Sequence, residues 1–437
     1  MDLAAARRWL DGHLNLESGA GPVNAGDVDD LSLDRMRSLV GVLGDPQTAY
    51  PVVHLTGTNG KGSTARMIEA LLRGHGLSVG LYTSPHLESL NERIVWDGRP
   101  IPDEDLAAVL TDLAALEALV EGEPTWFELV TAAAFAWFAQ QAVDVAVVEV
   151  GLLGRYDATN VADGTVAVVT NVDRDHTDGV GEWRRAIAAE KAGIVKPGST
   201  LVLGETAEDL RPIFESAGAE RVWRRGRDVE AAPNRTAVGG RLVSVRTPNG
   251  VHEDVFLPLH GAHQGDNLAL ALAAAEAFFD RPLDDELVAA SLAELSVPGR
   301  FEVVGREPLI VLDGAHNPAG IAALTTTLQD DFAPVPVSIV VLGVLQGRDP
   351  EAMIEALELT PYDVVICCTP PSPRALPAAE LAEVVTAAGI EVEVVADVAQ
   401  AVERARSLAG PEDRILVTGS LYAVGAARPL LAGADRD

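Results

Sequence analysis

The 437-residue sequence predicts an α/β protein: a larger, mainly parallel sheet domain followed by a smaller α/β domain. Three observations predict it. Short β-branched runs alternate with Ala/Leu-rich stretches of helical period, the signature of βαβ units and a parallel sheet. The rhythm breaks once, between about residues 211 and 258, and restarts beyond residue 300. Residues with chemical function recur directly after the strand runs, where open parallel sheets bind ligands.

In chain order, the first strand is Val52-Val53-His54-Leu55, followed by a glycine loop and a helix over 65–73. Val79-Gly80-Leu81-Tyr82 is the second strand, and helical patterns cover 103–119 and 127–140. Apolar runs at 143–150, 166–170 and 200–203 complete the predicted strands of this domain, with a helix over 183–192 between the last two. Between 211 and 258, arginine, asparagine and glycine turns interrupt short alternating runs, which predicts a small antiparallel addition. A helix over 266–279 follows, and Leu295-Ser296-Val297-Pro298-Gly299-Arg300 reads as a linker. We therefore place the domains at 1–297 and 298–437. The second has strands at 309–312, 337–342, 364–368, 391–395 and 415–417, a Rossmann-like alternation.

The chain has only three lysines among 33 basic residues. Lysine is a compact amine that can lose its proton and react, whereas arginine stays charged. Lys61 lies in Gly57-Thr58-Asn59-Gly60-Lys61-Gly62-Ser63, between a strand and a helix. Glycines let successive N–H groups converge on a phosphate, and the helix N-terminus adds a favourable dipole, so this is a P-loop-type site with Lys61 reaching the β/γ-phosphates. Its spacing is shorter than the Walker pattern.

Phosphate chemistry of this kind requires Mg²⁺, a hard cation that prefers oxygen ligands. Glu149 ends the apolar run Val145-Ala146-Val147-Val148, where a carboxylate is costly without a cation. Ser84 and His176 follow neighbouring strands. The plainer alternatives are a turn serine before Pro85, a local hydrogen bond for His176 and an ion pair from Glu149 to Arg155. Lys191 is either a second phosphate lysine or, as an amine that adds CO₂, a carbamate ligand. Trp126 and Phe127 are candidates for stacking on a flat heterocycle, and with Val130 they also have core spacing.

The net charge of −32 excludes nucleic acid and anionic membranes as partners. No apolar stretch is long enough to span a bilayer, and the first ten residues lack a signal core. Cys367 and Cys368 are adjacent in an apolar run, read as small buried residues, and point to a reducing cytoplasm.

Taken together, the motifs resemble the folylpolyglutamate synthase/dihydrofolate synthase family of the Mur ligase superfamily, from about residue 31 to 422. The matching strings are the glycine loop with Thr64, Thr83-Ser84-Pro85-His86-Leu87 with Glu92-Arg93-Ile94, and the run from Glu149-Val150-Gly151 to Ala158-Thr159-Asn160. Further matches are Glu190-Lys191-Ala192-Gly193-Ile194, His263-Gln264-Gly265-Asp266-Asn267, Pro298-Gly299-Arg300-Phe301-Glu302 and Asp313-Gly314-Ala315-His316-Asn317-Pro318.

The resemblance implies a Mur ligase central-domain-like fold and an ATP-dependent ligase joining L-glutamate to a folate-type carboxylate through an acyl phosphate. One or both activities, on dihydropteroate and on reduced folates, are expected. A ligase for another carboxylate and a non-ligating ATP-binding switch are the alternatives. The resemblance further implies ATP binding by Thr58, Asn59, Gly60, Lys61, Gly62, Ser63, Asn267, Arg300 and Asp313. Magnesium, as two ions, is implied at Ser84, Glu149, His176 and carbamylated Lys191. Folate binding is implied for Thr125, Trp126, Phe127, Glu128, Tyr156, Asp157 and Ala158. Lys61, Lys191 and His316 are the expected catalytic residues, in a cytoplasmic monomer with small-molecule substrates. The chain departs from the family pattern at Leu153, where a second glycine is usual, and at Tyr156, where leucine is frequent.

Overall fold

The computed structural model describes residues 1–15, 17, 32–174, 181–360 and 363–432. It divides into two compact units. The first comprises Met1–Ala237, Arg241–Pro258 and Gln264–Leu295; the second comprises Val238–Gly240, Leu259–His263 and Ser296–Asp437.

The first unit is built on β1 (Val52–Thr56), β2 (Val79–Tyr82), β3 (Ile94–Trp96), β4 (Arg99–Pro100), β5 (Val145–Glu149), β6 (Gly164–Val169), β7 (Thr200–Leu203) and β8 (Arg221–Arg224). These form an eight-stranded sheet in the order β4-β3-β2-β5-β1-β6-β7-β8. From β2 to β8 the strands are parallel, and β3 and β4 close one edge as an antiparallel ribbon. Every residue of β1 and β5 is buried. Strands covered on both faces need continuous apolar runs, which is why these two were the plainest in the sequence.

One core cluster packs Tyr82, Ala146 and Val148 against Leu129, Phe135 and Phe138 of the helix Trp126–Gln140. Another packs Ala167, Val169 and Leu201 against Ile187, Ile194 and Phe214. Register brings the strand ends level: Leu55 faces Glu149, Thr56 faces Val169 and Tyr82 faces Val148. The loops after β1, β2, β5 and β6 therefore all leave the sheet at the carboxyl ends of its strands.

The antiparallel addition is smaller than the sequence pattern suggests. Residues 211–229 supply the helix Arg211–Glu215 and β8, which pairs in parallel with β7. As an edge strand β8 is only partly buried and has an arginine at each end, so it lacks the continuous apolar run of the inner strands. The addition itself is a three-stranded sheet of β9 (Glu230–Ala237), β10 (Gly240–Arg246) and β11 (Val251–Leu257), with β10 and β11 antiparallel. It is tied down by His252, whose Nδ1 lies 2.5 Å from Asp285 Oδ1 and whose Nε2 lies 3.0 Å from Glu276 Oε1. Glu276 belongs to the helix Ala262–Phe279 and Asp285 opens the helix Asp285–Leu292.

The second unit holds β12 (Glu302–Arg306), β13 (Leu309–Leu312), β14 (Ser338–Leu342), β15 (Val364–Cys367), β16 (Glu391–Val394) and β17 (Arg414–Thr418). Their order is β12-β13-β17-β14-β15-β16, parallel except for β12 at the edge. Cys367 and Cys368 are buried free thiols, as their apolar setting predicts. Among the described residues no helix is long and apolar enough to cross a membrane.

Candidate active site

The chain leaves β1 into the loop 57–63 and enters the helix Lys61–Gly74. Close approach explains two glycines. A Cβ on Gly57 would stand 1.7 Å from Thr170 Oγ1, and one on Gly60, where φ is +83°, would stand 2.5 Å from Asn267 Oδ1. Asn171 Oδ1 accepts the N–H groups of Thr58 and Asn59 at 3.1 and 2.9 Å, and Thr170 Oγ1 donates to the Asn59 carbonyl at 2.6 Å. Lys61 Nζ folds over the loop and donates to the Gly57 and Thr58 carbonyls at 3.1 and 3.4 Å. The helix, which carries Gly62 and the buried Ser63 in its first turn, starts with no side-chain cap. An uncapped helix start beside a lysine has the features of an anion site. Thr170 and Asn171 had no assigned role in the sequence; their place directly after β6 was the available signal.

Glu149, 3% exposed, ends β5. Its Oε2 accepts the Ser84 N–H at 3.2 Å and would stand 3.5 Å from a Cβ on Gly62. The carboxylate thus lies against the first turn of the phosphate-loop helix. Arg155, its alternative partner, turns instead to Glu190, with Nε 3.7 Å from Oε1. Burial lowers the pKa of Arg66, one turn along the helix, and the Glu149 charge opposes that shift. A buried carboxylate against the start of the phosphate-loop helix suits a hard divalent cation, which would offset its repulsion for phosphate, and Ser84 lies beside it through its N–H. His176, the other expected ligand, lies outside the described residues.

Lys191, 4% exposed, lies in the last turn of the helix Trp183–Ala192. The loop after β5 closes on this helix end. A Cβ on Gly154 would stand 2.7 Å from the Glu190 carbonyl and 3.2 Å from Lys191 Cα, and one on Gly193 would stand 2.6 Å from Arg155 Cβ. Asn160 Nδ2 laces both partners, donating to the Arg155 and Gly193 carbonyls at 2.8 and 3.1 Å. Beside the lysine, the buried Glu190 Oε2 has no hydrogen-bond partner among the described residues, and burial raises its pKa against the pull of Arg155.

The residues predicted for the folate side lie at the start of the helix Trp126–Gln140 and in the loop leading to residue 158. Thr125 and Glu128 form a capping box, and Glu128 Oε2 also accepts Arg35 Nε at 2.7 Å. Trp126, 5% exposed, belongs to the core, with the Arg93 guanidinium carbon 4.8 Å from its ring centroid. Arg93 itself is buried, donating to both Glu17 carboxylate oxygens at 2.9 and 2.6 Å and to His86 Nδ1 at 2.9 Å. Burial, then the Arg93 charge, lowers the His86 pKa to about 4. Phe127 is the half-exposed aromatic of the pair, its ring 2.4 Å from the place a Gly151 Cβ would take. Tyr156 is exposed and Ala158 buried. The Asp157 carboxylate accepts the N–H groups of Leu152 at 2.8 Å and Thr159 at 3.0 Å, so it shapes its own loop. Burial raises its pKa to about 6.

In the second unit, Asp313 follows β13 and accepts the N–H groups of Phe301 and Ala315 at 2.7 and 2.8 Å. Burial raises its pKa, opposed by Arg300. Arg300 Nη1 and His316 Nδ1 reach the Gly314 carbonyl at 3.3 and 3.0 Å, which puts a proton on Nδ1 of His316. Asn267 sits in the first unit, on the helix that meets Gly60, and donates to Gln264 Oε1 at 3.0 Å.

The two folded units match two known domain families in sequence. Residues 55–275 match the Mur ligase middle domain, and residues 299–421 match the Mur ligase, glutamate ligase domain. Fold and site therefore define a Mur-type ligase. The dihydrofolate synthase/folylpolyglutamate synthase of Mycobacterium tuberculosis is 39% identical over 92% of this chain and 90% of its own length. A solved M. tuberculosis folylpolyglutamate synthase complexed with ADP and AMPPCP superposes with a TM-score of 0.90 at 36% identity, covering 100% of both chains. E. coli FolC, solved with DHPP and ADP, gives a TM-score of 0.85 at 30% identity over 98% of this chain and 97% of that one. The Yersinia pestis bifunctional folylpolyglutamate synthase/dihydrofolate synthase, complexed with AMPPNP and Mn ion, gives 0.83 at 29% over 99% and 98%. The chain belongs to the dihydrofolate synthase/folylpolyglutamate synthase family.

Proposed function

We propose that this chain joins L-glutamate to dihydropteroate and to reduced folates, with ATP as co-substrate. It is an acid–amino-acid ligase. The observation that carries the site assignment is the pairing of the uncapped phosphate loop with the Glu149 carboxylate against its first turn.

A carboxylate oxygen of the folate-type substrate attacks the γ-phosphorus, the β–γ bridge breaks and ADP leaves. The amine of glutamate then attacks the acyl phosphate carbonyl and gives up a proton, and phosphate departs from the tetrahedral intermediate. Loop 57–63 holds the nucleotide phosphates with its N–H groups, and Lys61 swings from its own carbonyls to the transferring phosphoryl group. Ser84 and Glu149, with His176 and Lys191 as a carbamate, would hold magnesium, which supplies charge neutralisation on the phosphoryl oxygens. Arg300 and Asp313 are assigned to the nucleotide and His316 to phosphate. Phe127, with the loop 156–158, faces the heterocycle. Supporting this reading, relatives have been solved with ADP, ATP analogues, DHPP and Mn.

The test is ADP release from Mg-ATP and glutamate, with dihydropteroate or with a reduced folate, and the coupled product identified by mass. Turnover is expected to require both glutamate and a folate-type acid. Equal ADP release without either acid would leave a nucleotide switch, and turnover with another acid alone would leave a different ligase.

A further inference from the structure

His54 stands at the middle of β1 with 0% exposure, a position that any aliphatic side chain would fill without a polar atom. Its Nε2 lies 2.9 Å from Thr159 Oγ1, and the Thr159 hydroxyl donates to Asp157 Oδ1. A hydroxyl has one proton. Given to the carboxylate, it leaves the oxygen as the acceptor for His54, so the imidazole carries its hydrogen on Nε2. Nδ1 is then a bare acceptor, and it is buried without a hydrogen-bond partner among the described residues. Burial, helped by the Lys196 charge, lowers the His54 pKa to about 3, so the ring is neutral. The chain of donors has one direction: His54 to Thr159, Thr159 to Asp157. At its end Asp157 gathers the N–H groups of Leu152 and Thr159 and so fixes the loop whose Gly151 meets the Phe127 ring.

We propose that His54 and Thr159 are positioning residues for the ligase: through Asp157 they hold the loop 151–157 in the shape that receives the folate-type substrate. This rests on the assignment of that loop to the folate side. The same strand delivers the phosphate loop three residues later, so one element sets both.

The test compares His54→Leu and Thr159→Val, which remove the donor chain, with His54→Gln and Thr159→Ser, which keep a donor at the same place. Loss of one buried hydrogen bond is expected to raise KM for dihydropteroate about tenfold, with KM for Mg-ATP unchanged. The Gln and Ser variants are expected to restore it. Hydrogen exchange of the peptide spanning 151–160 is expected to quicken in the first pair and not in the second. Thr159→Val serves if His54→Leu fails to fold. Unchanged KM and exchange in both removing variants would overturn the proposal, as would faster exchange with no change in KM. Wild-type protein that turns over no folate-type acid would remove the substrate assignment instead, and the exchange comparison would still decide the donor chain.

Discussion

Asp157 is the ionisable residue whose setting has the clearest thermodynamic consequence. Burial raises its pKa from 3.8 to about 6, so the fold prefers its neutral form. The sign follows: this preference stabilises the fold fully below the unfolded value and is lost as pH rises through the folded one. Relative to Asp157→Asn, wild-type stability should fall by on the order of 3 kcal/mol between pH 4 and 7, since each unit is worth about 1.4 kcal/mol. Urea unfolding of both proteins across that range checks it, and parallel pH profiles would refute it. At this scale the sequence exposed Lys61 and Glu149, because a glycine loop and an abruptly ended apolar run are local signals. The roles of His54, Arg93 and Asn171 were not readable, because they depend on partners distant in the chain, although Arg93 falls in a matching string and Asn171 directly follows a strand. The departure at Leu153 is also resolved here. It adopts a left-handed φ of +57°, yet its side chain is 6% exposed. Burying a leucine is worth about 1.5–3 kcal/mol, which outweighs the roughly 1–2 kcal/mol cost of that backbone region.

Among the elements, the three-stranded addition is joined to the helices Ala262–Phe279 and Asp285–Leu292 by an ion cluster at His252. Burial alone would lower the His252 pKa, but Glu276 and Asp285 overcome it and the net shift is upward. A raised histidine stabilises fully below its unfolded value near 6.5 and loses that contribution as pH rises through its folded value. His252→Leu would leave the fully buried Glu276 without its cation, at a cost of about 3–5 kcal/mol. The difference between variant and wild type should shrink in alkaline buffer; thermal melts at several pH values would show it, and a constant difference would count against the cluster. The β9–β11 sheet was legible only as a break in rhythm. Short runs interrupted by arginine marked strands but not which of them left the parallel sheet, because an edge strand such as β8 is only partly buried and carries polar residues too.

For the whole molecule, the dominant fact is a net charge of −32 in a protein assigned anionic substrates. Like charge opposes compaction and repels such ligands at long range, so attraction has to come from local features. Raising monovalent salt from about 0.01 M to about 0.1 M shortens the Debye length from about 30 to about 10 Å. Melting temperature should therefore rise by about 3 °C. A scan in chloride salts tests this, and a falling temperature would contradict it. The alternating architecture of both units was readable from sequence, since it follows from burial on both faces of a sheet.

The scarcity of lysine gives the protein a built-in gauge. A lysine-specific protease meets three candidate bonds, and the one after Lys196 precedes Pro197, which such enzymes do not cut. The remaining two lie in the first turn of the helix Lys61–Gly74 and at the buried end of the helix Trp183–Ala192. Cleavage at either needs that helix end to open. Digestion with this one enzyme thus times the opening of the phosphate loop and of the Lys191 helix separately, with fragments ending at 61 and 191 as the two readings. A bound nucleotide should slow the first of them.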